Sequence, residues 1–141
     1  MRTRLRRLAL IVGVLAALGT LGTATPVLAH HSFSAEFDIT KPVNIKGTVT
    51  ELQWRNPHIW FYVDVKNPDG TVTNWGFSGG PPGLLLRVGV HKEALKPGTI
   101  VIVSGYRAKD GSNNASAGVV TFEDGRNVFA GSQQDVAPPK R

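Results

Sequence analysis

Four histidines, His30, His31, His58 and His91, are the residues best suited to chemistry in this 141-residue chain. An imidazole ligates divalent metals and exchanges protons near neutral pH. His58 closes the tetrad Arg55-Asn56-Pro57-His58, which lies between two strand-like runs with Trp54 and Trp60 beside it. The run after the tetrad alternates. Ile59, Phe61, Val63 and Val65 take one side, while His58, Trp60, Tyr62 and Asp64 take the other. Thr48 to Val65 therefore reads as two strands joined at a histidine-bearing turn, in which His58 serves either a ligand or only the hydrogen bonding of the turn.

What could join His58 depends on the N-terminus. Met1 to Arg7 is basic, Leu8 to Ala24 is apolar and uncharged, and Thr25-Pro26-Val27-Leu28-Ala29 ends in small or modest residues. This is the pattern of a secretory signal peptide, residues 1–29, with cleavage expected before His30. His30 would then present a free amine and an imidazole together, half of a histidine brace. His31 or His58 could supply the completing imidazole. A nitrogen-only set of His30, His31 and His58 favours copper(II), with zinc and nickel next. The chain has no cysteine and its single methionine is Met1, so sulfur ligands are excluded. The plainer alternative is an arm whose histidines are flexible or structurally bonded.

The charge balance narrows the partners. The full chain carries 16 Lys+Arg against 10 Asp+Glu. Four of the basic residues, Arg2, Arg4, Arg6 and Arg7, leave with the leader, so twelve would face ten and the mature net charge would be +2. A near-neutral exported protein lacks the footprint of a nucleic-acid binder. No membrane span is expected after cleavage. Catalysis is not expected either. Ser32, Ser34, Ser78 and Ser104 lack a nucleophile motif, and Glu36, Asp38, Glu51 and Asp64 lack diagnostic spacing. Gly76-Phe77-Ser78-Gly79-Gly80 runs into Pro81-Pro82, which makes it a connector rather than a phosphate loop. His91 reads as a surface or capping residue.

The elements that must position these groups follow in order. Residues 30–42 form an N-terminal arm, with Phe33 and Phe37 spaced for one helical turn or for two anchors on the domain wall. A first strand from Val43 to about Trp54 changes its apolar phase between Val49 and Leu52, which calls for a bulge, with Gly47 placed to permit the bend. Strands at His58–Lys66 and Thr71–Phe77 follow, then a short helix at Leu84–Val88 and a further helical turn to Leu95. Thr99–Arg107, with Ile100-Val101-Ile102-Val103 unbroken, reads as a central strand buried on both faces. After a polar loop, Lys109–Ser116, a hairpin pairs Val119–Phe122 with Asn127–Phe129 across Asp124-Gly125. Residues 132–141 read as a disordered tail.

Three strands, a helix, then further strands is the order of an OB-fold. The expected class is all-β with one short helix, an OB-fold-like Greek-key barrel of five to six strands over residues 43–131. Such barrels bind through strands two and three and the one-two and four-five loops. The candidate ligand surface is therefore Arg55, Asn56, Trp60, Tyr62 and Trp75, suited to a small molecule, a glycan or a periplasmic protein partner.

The segments HHSFSAEFD, KPVNIKGTVTELQWRNPHIWFYVDV, LKPGTIVIVSGYRAKDGSN and DGRNVFAG resemble a group of small exported bacterial proteins catalogued as domain of unknown function 6152. The resemblance runs from His30 to about Gly131. It implies a periplasmic or secreted β-barrel-like domain and supplies no functional residues.

Overall fold

The fold is that of a computed structural model, which describes residues 33–131. The proposed leader, His30, His31 and the tail beyond Gly131 lie outside the described residues. A one-turn helix, α1 (Phe33–Glu36), leads directly into β1 (Phe37–Gln53). Then come β2 (Trp60–Lys66), β3 (Val72–Ser78), α2 (Pro82–Arg87), a 3-10 turn (Lys92–Leu95), β4 (Ile100–Ala108), β5 (Asn114–Phe122) and β6 (Asn127–Phe129). The sheet order is β3-β2-β1-β4-β5-β6, and a further pairing between β3 and β5 curls it into a barrel. That pairing is parallel and every other one is antiparallel. This is the expected OB-like architecture, closed unevenly, because the β3–β5 seam spans only Gly76 to Ser78.

The stagger of the barrel explains its longest strand. Pro42 of β1 pairs with Tyr106, Tyr106 with Ser116, Ser116 with Ser78, Ser78 with Trp60, and Trp60 with Gln53, again on β1. One circuit thus returns eleven residues further along the same strand, from Pro42 to Gln53. Such shear tilts the strands and lets a small sheet close on itself. Only a strand as long as the 17 residues of β1 can meet β4 with its first part and β2 with its last.

Several boundaries differ from expectation. The first strand starts at Phe37 rather than Val43, because buried Phe37 pairs with Ala108 before the register jumps to Pro42. The bulge falls between Val49 and Glu51, where the apolar phase changes. Gly47 has a different task from the bend assigned to it: a Cβ there would run into the carbonyl of Asp64 and the side chain of Val63. β4 is buried on one face only. Val101 and Val103 point into the core, while Ile100 and Ile102 are partly covered on the outside. β5 begins at Asn114, inside the stretch read as loop, since Asn114 to Ser116 form the seam with β3.

The barrel is filled by Val49, Phe61, Val63, Phe77, Val101, Val103 and Val120. Leu85 of α2 and Leu95 of the 3-10 turn join that core, both fully buried, each worth roughly 1.5–3 kcal/mol of apolar burial. α2 begins with Pro82, whose missing N–H costs nothing in a first turn. It stops at Gly89, which takes φ 81°, while the Val90 N–H donates to Leu85 O at 2.8 Å. No helix among the described residues is long and apolar enough to cross a membrane.

Three tight turns share one design. In Asp69-Gly70-Thr71, Asp110-Gly111-Ser112 and Asp124-Gly125-Arg126 the aspartate accepts the backbone N–H two residues on, at 3.0, 2.9 and 3.0 Å. Asp38 does the same with Thr40 at 3.0 Å. Hydrogen bonds from the side chains and backbone of Thr40, Thr71 and Arg126, and from the backbone N–H of Ser112, hold these four carboxyls below the usual aspartate range. A depressed native pKa adds stability that is complete above the unfolded-state value near 4 and is lost as the pH falls through the native one. The urea midpoint should therefore drop between pH 5 and pH 2.5. Replacing Asp69, Asp110 and Asp124 together by Asn should flatten that drop, as read by denaturation at each pH.

Candidate functional site

The loop from Trp54 to Ile59 joins β1 to β2, with Arg55, Asn56 and His58 exposed and the Asn56–Pro57 peptide cis. It is held by backbone rather than by side chains. The Gly79 N–H donates to Ile59 O at 2.9 Å, Ile59 N–H to Gly80 O at 3.2 Å, and Gly80 N–H to Ala130 O at 2.7 Å. A Cβ on Gly79 would meet the Ile59 side chain at 2.7 Å and Ala130 O at 2.9 Å. The glycine pair is therefore a clasp between the loop and the end of β6, and at Gly79 only a bare backbone fits. His58 leans on the same clasp, with Nδ1 2.9 Å from Gly79 O. A carbonyl only accepts, so Nδ1 carries the proton, and in the neutral ring Nε2 keeps its lone pair.

β2 carries the aromatic face. Ile59, Phe61 and Val63 are fully buried, so strand alternation turns Trp60, Tyr62 and Asp64 outward. Trp60 pairs with Gln53 and Ser78, and Tyr62 with Glu51 and Gly76. The edge of the Tyr62 ring lies beside Gly76: a Cβ there would be 3.3 Å from Tyr62 Cε1 and would collide with Asn114 Oδ1. Polar side chains border the rings. Arg55 donates to Gln53 at 2.7 Å, Gln53 to Glu51 at 2.9 Å, and Asn74 to Asp64 at 2.7 Å. Arg55, Trp60 and Tyr62 are thus brought to one region of the barrel surface, and Asn56 sits in the adjoining loop.

Trp75 belongs elsewhere. It pairs with Val63 on the inward side of β3, lies 6.3 Å from the Phe77 ring and packs against the core. The Arg107 guanidinium sits over it at 5.5 Å, itself donating to Gly111 O at 2.8 Å and Ser112 O at 3.2 Å. Trp75 is a capped wall residue and not a third platform beside Trp60 and Tyr62. Sequence reasoning took Gly76 to Ser78 for part of a glycine-rich connector, whereas they belong to β3 and its seam with β5, and it passed over Asn114 and Arg107 as site residues. A glycine interrupting a strand at Gly76 was the one available signal, since it marks a close approach.

The metal candidates are only partly in view. His30 and His31 lie outside the described residues, and His58 stands at the β1–β2 loop. Among the described residues no group of three His, Asp or Glu side chains is arranged to hold a metal ion. The described start of the arm docks on the other end of β1. Phe33 lies 5.4 Å from Phe37 and meets Tyr106 edge-on at 6.0 Å, so both readings of the Phe33–Phe37 spacing hold at once. Lys109 Nζ donates to Ser34 O at 2.6 Å, and its backbone N–H to Glu36 O at 2.9 Å. His91 is exposed and offers no side-chain cap to the 3-10 turn it precedes.

Fold and face together define a small OB-like β-barrel with an aromatic and amide-bordered outer surface. The chain belongs to the family of unknown function DUF6152, whose model matches residues 18–117, from the apolar N-terminal run to the seam half of β5. No curated protein and no solved structure matches it.

The two tryptophans should separate on substitution. Trp75→Ala should cost about 3 kcal/mol of folding stability, as for an aromatic removed from a core. Trp60→Ala should cost under about 1 kcal/mol. Urea unfolding of the two variants makes the comparison.

Proposed function

We propose that this chain is an exported, non-enzymatic binding protein that takes its ligand on the outer face of β2 and β3. The reading rests on one observation above all. Trp60 and Tyr62 are turned away from a core that Trp54 and Trp75 help to complete, and hydrogen-bonded polar side chains flank them. Large aromatic surface with a few oriented polar groups is the usual composition of a small-molecule or glycan site, and a protein partner can use the same anchors. Export rests on the basic and apolar N-terminal run, which would place the protein in the periplasm or outside the cell. In a mixed small-molecule library followed by amide and indole NMR shifts, hits should cluster on Trp60, Tyr62 and Gly76. A library that perturbs no residue of this face would overturn the assignment.

A second reading has its own support. An imidazole whose Nδ1–H is fixed on a backbone carbonyl is oriented as metal-ligating histidines are, with Nε2 available. His58 has that bond to Gly79 O. It is thereby a candidate ligand for copper(II), which nitrogen donors favour, and the amine and imidazole of a processed His30, with His31 beside it, are candidates of the same chemistry. Copper titrated into protein beginning at His30 should bind near one equivalent. One extra residue before His30 and His58→Ala are each compared with the parent, and binding weakened at least about 10-fold identifies the ligand concerned. Unchanged affinity in both variants rejects the metal reading.

A further inference from the structure

We infer that the ligand of the β2–β3 face is a neutral glycan, stacked on Tyr62 and Trp60, and that Gly76 is the residue that sets the platform. This deepens the binding-face reading and rests on it. With no side chain at Gly76, the Asn114 side chain takes the space a Cβ would fill, and the edge of the Tyr62 ring, at Cε1, packs beside it, 3.3 Å from where that Cβ would stand. A ring wedged at its edge against the seam offers a face as a shelf. Trp60, two residues along the same face of β2, extends the shelf by about 7 Å along the strand. An oligosaccharide laid along the strand meets both rings.

Glu51 and Asp64 stand beside the rings, Arg55 already donates to Gln53, and exposed Lys66 follows Asp64 on the same face of β2. Two carboxylates against two cations leave no net positive charge to draw a phosphodiester chain or to clamp an acidic sugar. The same balance gives a cationic ligand no net attraction. A carboxylate accepts up to about four hydrogen bonds, so Glu51 and Asp64 keep acceptor sites for sugar hydroxyls after binding their amide neighbours. Paired carboxylates and amides beside aromatic shelves match a hydroxyl-rich neutral ligand.

The chain has three tryptophans, at 54, 60 and 75, whose indole N–H signals provide the test. Protein spanning residues 30–141 would be titrated separately with cellohexaose, the N-acetylglucosamine tetramer, a hexathymidylate and choline. The expected result is that at least one neutral oligosaccharide moves the Trp60 indole while Trp75 stays in place. Tyr62→Ala should weaken that binding about 10-fold or more, Tyr62→Phe should retain it, and Gly76→Ala should weaken it with Tyr62 itself intact. If hexathymidylate or choline moves Trp60 and neither oligosaccharide does, the glycan inference falls and the binding face stands. Silence of Trp60 toward all four probes, with library hits still mapping to the face, also removes only the glycan. Silence toward probes and library alike removes both. Gly76→Ala binding as tightly as the parent removes the role given to that glycine.

Discussion

The parallel contact between β3 and β5 is the constraint on which the rest of the barrel depends. It is three residue pairs long, and without it the six strands would form an open, twisted sheet with two free edges. Closing the ring there forces the eleven-residue stagger along β1, and that stagger requires β1's length and its bulge. The seam also demands small neighbours. Gly76 faces the Asn114 side chain, and Ala115 and Ala117 are fully buried beside it. Its own backbone bond, from Gly76 N–H to Asn113 O at 2.9 Å, draws the β4–β5 loop against the strand that carries Trp75.

The candidate face is a by-product of the same closure. Gly76 is bare because the seam is crowded, and a bare position in a strand is where a cross-strand aromatic ring comes to rest. The Asn114 side chain takes that space, with the edge of the Tyr62 ring beside it. One residue away, Trp75 turns inward and is covered by Arg107, which the loop carbonyls of Gly111 and Ser112 hold in place. Two neighbouring aromatics on paired strands thus have opposite fates, one available to a ligand and one committed to stability. The strand pleat decides between them.

The glycine pair after β3 shows a second dependence. Gly79 and Gly80 gather the β1–β2 loop, the start of β2 and the end of β6 through three backbone hydrogen bonds. His58 attaches to that clasp by Nδ1, so the orientation of its ring is inherited from the packing of glycine backbone. The loop that carries Arg55 and Asn56 is thereby anchored at its Ile59 end, with the residues of the tetrad exposed.

The all-β class, the order of strands around a short helix, and the inward and outward sides of β2 were legible in the sequence. They rest on local rules: alternation from Ile59 to Val65, Asp-Gly and Pro-Gly turns, and prolines that end elements. The phase change after Val49 announced the bulge for the same reason. Long-range contacts were not legible. The start of β1 at Phe37 depends on Ala108, the early start of β5 depends on Gly76, and the cover over the inward-turned Trp75 comes from Arg107. A residue's periodicity tells which face of its strand it occupies. Only barrel closure decides whether that face is covered, because cover comes from residues far away in the chain.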